Sequence, residues 1–320
     1  MNWRCLHSGP LMWPYPCGGD MVQVIQASAL TQVRYRLSAK LRRAVKRCVR
    51  PVWLARLRHQ NVHSQSPMTS PGGPVLSITT TAVRLPTVFY TLETIANGSL
   101  KPSRLVLWLD QSLIDKGLPA SLVRQQSRGL EIRGCRDVGP HTKFFPQVML
   151  EPAPSLPLVT ADDDQLYPRQ WLQTLQQAYL ADDTALHCFR AYVIALTTDG
   201  HLQPYKRWPK CHSTEPSLLH FATGVSGIIY PPAMQLALRA RGLDFLSCCP
   251  RADDIWLNAV ALWEGFPVRQ IEPVPVNFYE MPGSRAQGLA RSNVDQGGND
   301  PQLDATYRRE DLARLRELTR

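Results

Sequence analysis

The sequence predicts an α/β protein built on a mostly parallel sheet with helices on both faces. Three observations predict it. From Val75 onward, short apolar β-rich runs alternate with helical patterns. The Gly and Pro breaks between them are short. Polar and acidic residues gather just past the ends of the β-rich runs: Thr79, Thr80, Thr81 and Arg84, then Asp110, then Asp137, then Asp162-Asp163-Asp164. Such alternation means βαβ units. Their crossovers bring the carboxyl ends of the strands to one rim, where open α/β sheets bind ligands.

Each element has its own signal. Val75 to Thr80 reads as a strand, and Leu85 to Ala96 as a helix closed by Asn97-Gly98. Arg104 to Asp110 is a second strand, followed by a helix from Leu118 to Arg128 that stops at Gly129. Leu130 to Cys135 is a third strand, and His141 to Leu150 a short helical stretch. Leu156 to Ala161 is a strand that ends in three carboxylates. Tyr167-Pro168 then leads into a helix with Trp171, Leu172, Leu175, Ala178 and Tyr179 on one face. Beyond it the pattern is less regular. Leu186 to Thr197 is apolar and β-rich, and Lys206 to Glu215 is a polar excursion. Thr223 to Pro232 is a glycine loop entering an apolar run, and Met234 to Arg241 is a helix. Asp253-Asp254 opens a helix from Ile255 to Glu264. Val268 to Ile271 is a strand, and Ala305 to Arg320 a charged helix within a polar tail.

The chain has 320 residues, 44% hydrophobic and 19% charged, ample for one sizeable core. Residues 1–74 are set apart as a basic arm followed by a Ser/Pro/Gly linker, with the α/β domain over 75–320. That domain is read as a nucleotide half over about 75–165, an acceptor half over about 166–303, and a polar tail over 304–320. The net charge of +10 favours anionic partners. It is concentrated between Gln32 and Gln60, which hold ten Lys or Arg and no acid, with Leu37, Leu41, Val45 and Val49 at helical spacing. Such a stretch is either a basic helix suited to an anionic membrane or a solvated arm. No apolar run reaches the roughly 18 to 20 residues of a membrane span. No secretory leader is legible either, so the expected location is cytoplasmic, peripheral to the membrane if the arm binds it. Eight cysteines form no CxxC pair and read as reduced thiols. No GxGxxG or GxxxxGK[ST] follows the first strand, so a dinucleotide fingerprint and a P-loop are absent.

Two acidic clusters carry the chemistry. Asp162, Asp163 and Asp164 either form a solvated turn or helix cap, or supply hard oxygens to Mg²⁺ or Mn²⁺ on a diphosphate. Asp253 and Asp254 either complement a helix N-terminus, or act as base and electrostatic stabiliser near an acceptor hydroxyl. Between the clusters, Gly224-Val225-Ser226-Gly227 is either a turn or a place of close approach to a ligand. Arg84, Arg136 and Lys143 fall on the rim, where fixed cations would offset the charge of a leaving phosphate.

Four separated blocks then follow one another in order: "IRGCRDVGPHTK" from Ile132, "VTADDDQLYPRQW" from Val159, "TGVSGIIYPP" from Thr223 and "PRADDIWLNAVAL" from Pro250. Over about Val75 to Leu303 this resembles the bacterial GT-A-fold glycosyltransferases of capsule and exopolysaccharide assembly. The resemblance implies a Rossmann-like GT-A sheet and a nucleoside-diphosphate sugar as donor. It implies Mn²⁺ or Mg²⁺ as cofactor, and a saccharide or lipid-linked saccharide as acceptor. Asp162 and Asp164 stand at the ends of that family's DxD motif, with Asp164 the metal ligand and Asp162 at the ribose or metal shell. Asp254 stands where inverting members keep their base, beside Asp253. Thr79, Thr80 and Arg84 resemble the loop that meets the nucleotide, which Arg136, Lys143 and Asp163 would also serve. Many members add a late histidine to the metal shell; here none follows His220.

Two rivals stand beside this reading. A nucleotidyltransferase would show a glycine-rich, lysine-bearing loop after the first strand, and Ser77 to Arg84 has neither residue. A basic membrane or nucleic-acid adaptor would rest on the arm alone. No specific nucleic-acid partner is expected, since 75–303 holds no recognised motif for one.

Overall fold

The structure is a computed structural model, and it describes residues 50–284 and 291–319. Two compact units divide at Val52/Trp53. The arm over 32–49 lies outside the described residues, so its membrane reading stands as an expectation. From Trp53 on, the chain belongs to the α/β unit. α1 is helical up to residue 63. It buries Leu57 beside Leu166 and Met281, with Trp53 and Leu54 packed around them. The linker reading of 64–74 is corrected too. Met68 is fully buried, and its N–H donates to Arg128 O at 2.8 Å. The Ser/Pro/Gly composition hid one large apolar anchor. The boundary at 74 therefore lies about one helix and one turn too late.

The central sheet holds β1 (Val75–Thr79), β2 (Arg104–Asp110), β3 (Leu130–Cys135), β4 (Leu158–Ala161), β6 (Leu186–Cys188), β9 (Ile228–Tyr230) and β10 (Val268–Gln270). Its order is β10-β6-β9-β4-β1-β2-β3. β4, β1, β2 and β3 pair in parallel. β9 pairs antiparallel with both β4 and β6, so it alone runs against the others. Val, Leu and Ile fill the central strands because both faces are covered. One face packs Leu76, Ile78, Leu105, Leu107 and Val159 against α2 (Val88–Ala96), α4 (Ala120–Gln126) and α6 (Trp171–Ala181). The other packs Leu158, Ile228 and Tyr230 against α5 (Phe145–Leu150), α7 (Pro232–Ala240), α8 (Phe245–Cys248) and α9 (Asp253–Glu264). The α/β architecture with a mostly parallel sheet is thus as the sequence reads.

Four element bounds differ, each for a physical reason. α2 begins at Val88 and not at Leu85, because Pro86 has no N–H to donate and the residues before Val88 close as turns, Arg84 N–H on Thr81 O and Thr87 N–H on Arg84 O. A short α3 (Gln111–Asp115) precedes α4, capped by Asp110, whose carboxylate accepts from Ser112 N–H at 2.9 Å. The β-rich run from Leu186 breaks into β6 and β7 (Ala191–Val193), because Ala191 N–H donates to the Gln270 side chain and leaves the main ladder. β7 then pairs with β8 (His220–Ala222) in a separate two-stranded sheet, and β5 (Gln165–Leu166) pairs with β11 (Tyr279–Glu280) in another. The polar tail is two helices, α10 (Asn299–Thr306) and α11 (Arg309–Leu318), split where Asp311 caps Arg308 N–H. Leu303, Tyr307 and Leu315 join the core, so this segment is integral to the fold.

The five described cysteines are free thiols. Among the described residues, no helix is long and apolar enough to cross a membrane.

Candidate functional site

The site begins where β4 ends. Asp162, Asp163 and Asp164 turn the chain between β4 and β5, and α6 opens later, with Gln170 at its N-cap. Asp164 is therefore no helix cap. The three carboxylates face different ways. Asp163 points inward with 6% of its side chain exposed, while Asp162 and Asp164 remain 26% and 15% exposed. Asp163 takes the Thr80 hydroxyl and the Arg84 guanidinium at 2.6 Å. Arg84 also reaches Asp164 at 3.1 Å and Ser284 O at 3.2 Å. Asp163 is thus the group that fixes Arg84. A direct contact of Asp163 with a nucleotide would require it to leave two partners. Thr79 donates to Trp108 O at 3.0 Å, so its hydroxyl serves the β1–β2 ladder.

Lys143 joins the two acidic clusters. Its Nζ lies 2.7 Å from Asp162 Oδ1 and 3.1 Å from Asp253 Oδ2. The second contact is an ion pair whose angles fall short of a hydrogen bond. Burial alone would lower the Lys143 pKa. Asp162, Asp253 and Asp254 outweigh it and hold the ammonium charged, well above its ordinary range. Ser77 fixes the backbone here by donating to Lys143 O at 2.6 Å. Arg136 sits differently. It is exposed in the loop after β3, the edge strand, and no ion pair ties it to the acids among the described residues. The site's cations are Arg84 and Lys143.

Asp253 and Asp254 form the first turn of α9, after Ala252 at the N-cap. Asp254 Oδ1 accepts from Gly224 N–H at 2.9 Å. That contact explains the glycine: a Cβ on Gly224 would stand 3.1 Å from Asp254 Oδ1 and 3.3 Å from Lys143 Nζ. Gly227 has φ +88°, and a Cβ there would enter the Trp171 ring at 2.5 Å. Ser226 donates to Val276 O, and Ser226 O accepts from the Trp171 indole N–H. Val225, between the glycines, is the half-exposed residue of the loop.

Five carboxylates thus meet the buried Lys143 and the half-buried Arg84. Burial first, then Asp162, pushes the Asp164 carboxyl up to about 6. Burial first, then Asp253, pushes Asp254 up to about 7. Burial also raises Asp163 despite Arg84. A surplus of partly shielded negative charge and hard oxygen donors at Asp162 and Asp164 fits a divalent cation carrying phosphate oxygens. Among the described residues, no three His, Cys, Asp or Glu side chains converge into a cage. The protein's share of such a shell would be these two carboxylates.

Sequence reasoning missed three supports. Tyr167 OH accepts from Asp162 N–H at 2.9 Å and stacks on Trp171 at 3.9 Å, tying the acidic turn to the glycine loop. The Tyr-Pro after the acids was the available signal. Arg190 O accepts from Thr223 N–H at 3.0 Å, which holds the loop's first residue. Ser284 O, on Arg84, follows β11 and carried no local signal.

No family model matches the chain, and no curated protein matches it. Among solved structures it is similar to a CMP-2-keto-3-deoxy-manno-octonic acid synthetase in complex with CTP. The identity there is 13%, over 72% of this chain and 95% of that one, at a TM-score of 0.37. It is also similar to the inositol-1-phosphate CTP transferase of T. maritima, at 14% identity over 77% of this chain and 98% of that one, with a TM-score of 0.40. A likeness this distant assigns no activity.

Proposed function

We propose that the protein is a glycosyltransferase that moves a sugar from a nucleoside-diphosphate sugar to an acceptor hydroxyl. The observation that carries the reading is Lys143, which bonds Asp162 at the end of β4 and pairs with Asp253 at the start of α9. One cluster suited to a diphosphate and one suited to an acceptor are thereby parts of a single site. Asp162 and Asp164 would hold Mn²⁺ or Mg²⁺, which when bound neutralises the diphosphate of the donor. Arg84 would hold Asp164 in place, with Asp163 as its anchor. Asp254, ionising near neutrality, would take the proton of the acceptor hydroxyl. The acceptor oxygen then bonds to the sugar's anomeric carbon. The bond from that carbon to the diphosphate breaks, and its electron pair leaves on the diphosphate oxygen.

The competing enzymatic reading is nucleotidyl transfer, the activity in the names of the two solved structures. That chemistry cleaves between phosphates and uses a triphosphate. Against it, the β1 loop has neither glycine nor lysine, and Lys143 is held between carboxylates. A thermal-shift screen with Mn²⁺ present separates the two, because a ligand raises apparent stability in proportion to its affinity. Nucleoside-diphosphate sugars are expected to raise Tm, and one of them to be hydrolysed or transferred. A shift with CTP alone, together with pyrophosphate release, would replace the glycosyltransferase reading with its rival.

A further inference from the structure

The acceptor side of the site carries positive charge that the transfer chemistry does not use. Arg190 immediately precedes β7, and its guanidinium donates to Tyr192 OH at 2.7 Å and lies 5.3 Å from that ring's centre. It forms no ion pair among the described residues, and the chain outside them holds a single acid, Asp20. Tyr192 bridges antiparallel to Lys210, so Lys210 is set beside Tyr192 on the face that carries Arg190. Lys210 is exposed and has no acidic partner among the described residues. Between Arg190 and His212 the chain has four Lys or Arg against one acid, Asp199. One of the four, Lys206, is occupied by Asp295 O.

The backbone that carries this charge adjoins the loop that meets Asp254. Arg190 O takes the Thr223 N–H, and the next N–H, that of Gly224, goes to Asp254. Tyr205 packs on Tyr192 with ring centres 5.6 Å apart. Its hydroxyl has no hydrogen-bond partner among the described residues, and the charges of Asp254 and Arg190 act on it with opposite sign. An arginine stacked on one tyrosine, half-buried and without an anion, is preorganised to receive one.

We propose that the acceptor is anionic: a saccharide or lipid-linked saccharide whose phosphate or carboxylate is bound by Arg190 and Lys210 while its reactive hydroxyl is presented to Asp254. The inference rests on the glycosyltransferase reading. Arg190 and Lys210 bind and position the acceptor, and Tyr205 offers it a hydrogen bond. A neutral sugar would leave the two cations unsatisfied.

The test uses the full chain with Mn²⁺ and a nucleoside diphosphate present. Glucose 1-phosphate, glucuronic acid and methyl glucoside serve as phosphate, carboxylate and neutral probes, with affinity read by saturation-transfer NMR. The wild type is expected to bind one or both charged probes at least about tenfold more tightly than the neutral one, the gain of a charge-assisted contact. Which charged probe wins identifies the source of the anion. The preference should weaken with added salt. It should vanish in Arg190→Ala/Lys210→Ala and persist in part in Arg190→Lys, with near-wild-type circular dichroism and unchanged Mn²⁺-dependent donor affinity. Equal binding of charged and neutral probes, no binding of any probe, or a preference that survives the double substitution would overturn the inference. Failure of every nucleotide sugar to bind would instead remove the transferase reading, an outcome the donor arm reports separately.

Discussion

Asp254 is the residue on which function and stability pull apart. Its carboxyl is half-buried beside the buried Asp253 and raised to about 7. Between an ordinary carboxylate pKa and that value, the folded state holds a proton that the unfolded state has lost. Stability therefore falls as pH rises from about 4 through about 7. Asp254→Asn keeps an oxygen for Gly224 N–H and cannot ionise. At pH 8 it is expected to unfold at a higher temperature than the wild type, with a gain of about 4 kcal/mol that disappears toward pH 4. The same variant is expected to lose about a hundredfold or more in turnover while keeping donor affinity. Urea melts across pH and steady-state kinetics check both halves. Unaltered turnover would leave Asp254 as a helix-terminus acid and nothing more. This residue was legible in sequence as half of an acidic pair, but its partner Gly224 was not, because 30 positions separate them.

At the scale of elements, the site is a junction of three turns: the acidic turn after β4, the glycine loop before β9, and the first turn of α9. Each was recognisable locally from Asp162 to Asp164, Gly224 to Gly227, and Asp253-Asp254. What joins them was not, since Lys143 looked like one rim cation among three until its position between two clusters was seen. Arg136 had the same sequence signal and lies exposed, because β3 is the sheet's edge. Two substitutions test the junction. Gly227→Ala places a methyl against the Trp171 ring at a positive φ, and is expected to cost about 2 kcal/mol or more in a denaturant melt. Arg84→Ala strands the buried Asp163 carboxylate, and is expected to cost about 3 kcal/mol at pH 8. Adding Asp163→Asn to Arg84→Ala should restore much of that stability without restoring donor binding. Full stability in the single Arg84 variant would show that the pair is not what anchors the turn.

Across the whole molecule, the alternation of strands and helices from Val75 was readable because both periodicities are strong in a sheet covered on two faces. The reversed strand β9 was not, since strand direction leaves no mark on a run such as Ile228-Ile229-Tyr230. Nor was the inclusion of 53–74, where single residues such as Leu57 and Met68 anchor polar stretches. One long-range contact ties the halves and titrates. His141, before α5, presents its Nε2 to Cys249 O at 2.7 Å and stacks on Phe245. Burial lowers its pKa to about 4. Between about 6.5 and 4 the unfolded imidazole binds a proton that the folded one refuses, so stability is lost as pH falls through that window, by about 3 kcal/mol. Taken as a difference from His141→Gln, urea melts should show this slope; a flat difference would contradict the burial of a neutral ring.

Asp162 and Asp164, half-buried beside the buried Asp163, are the proposed grip on a cation carrying a nucleoside diphosphate. Calorimetric titration of nucleoside-diphosphate sugars with Mn²⁺ into the wild type and Asp164→Ala tests it most directly. Mn²⁺-dependent binding to the wild type, lost in a variant that keeps its fold, is the predicted result; equal affinity in both proteins, or binding indifferent to Mn²⁺, would contradict it.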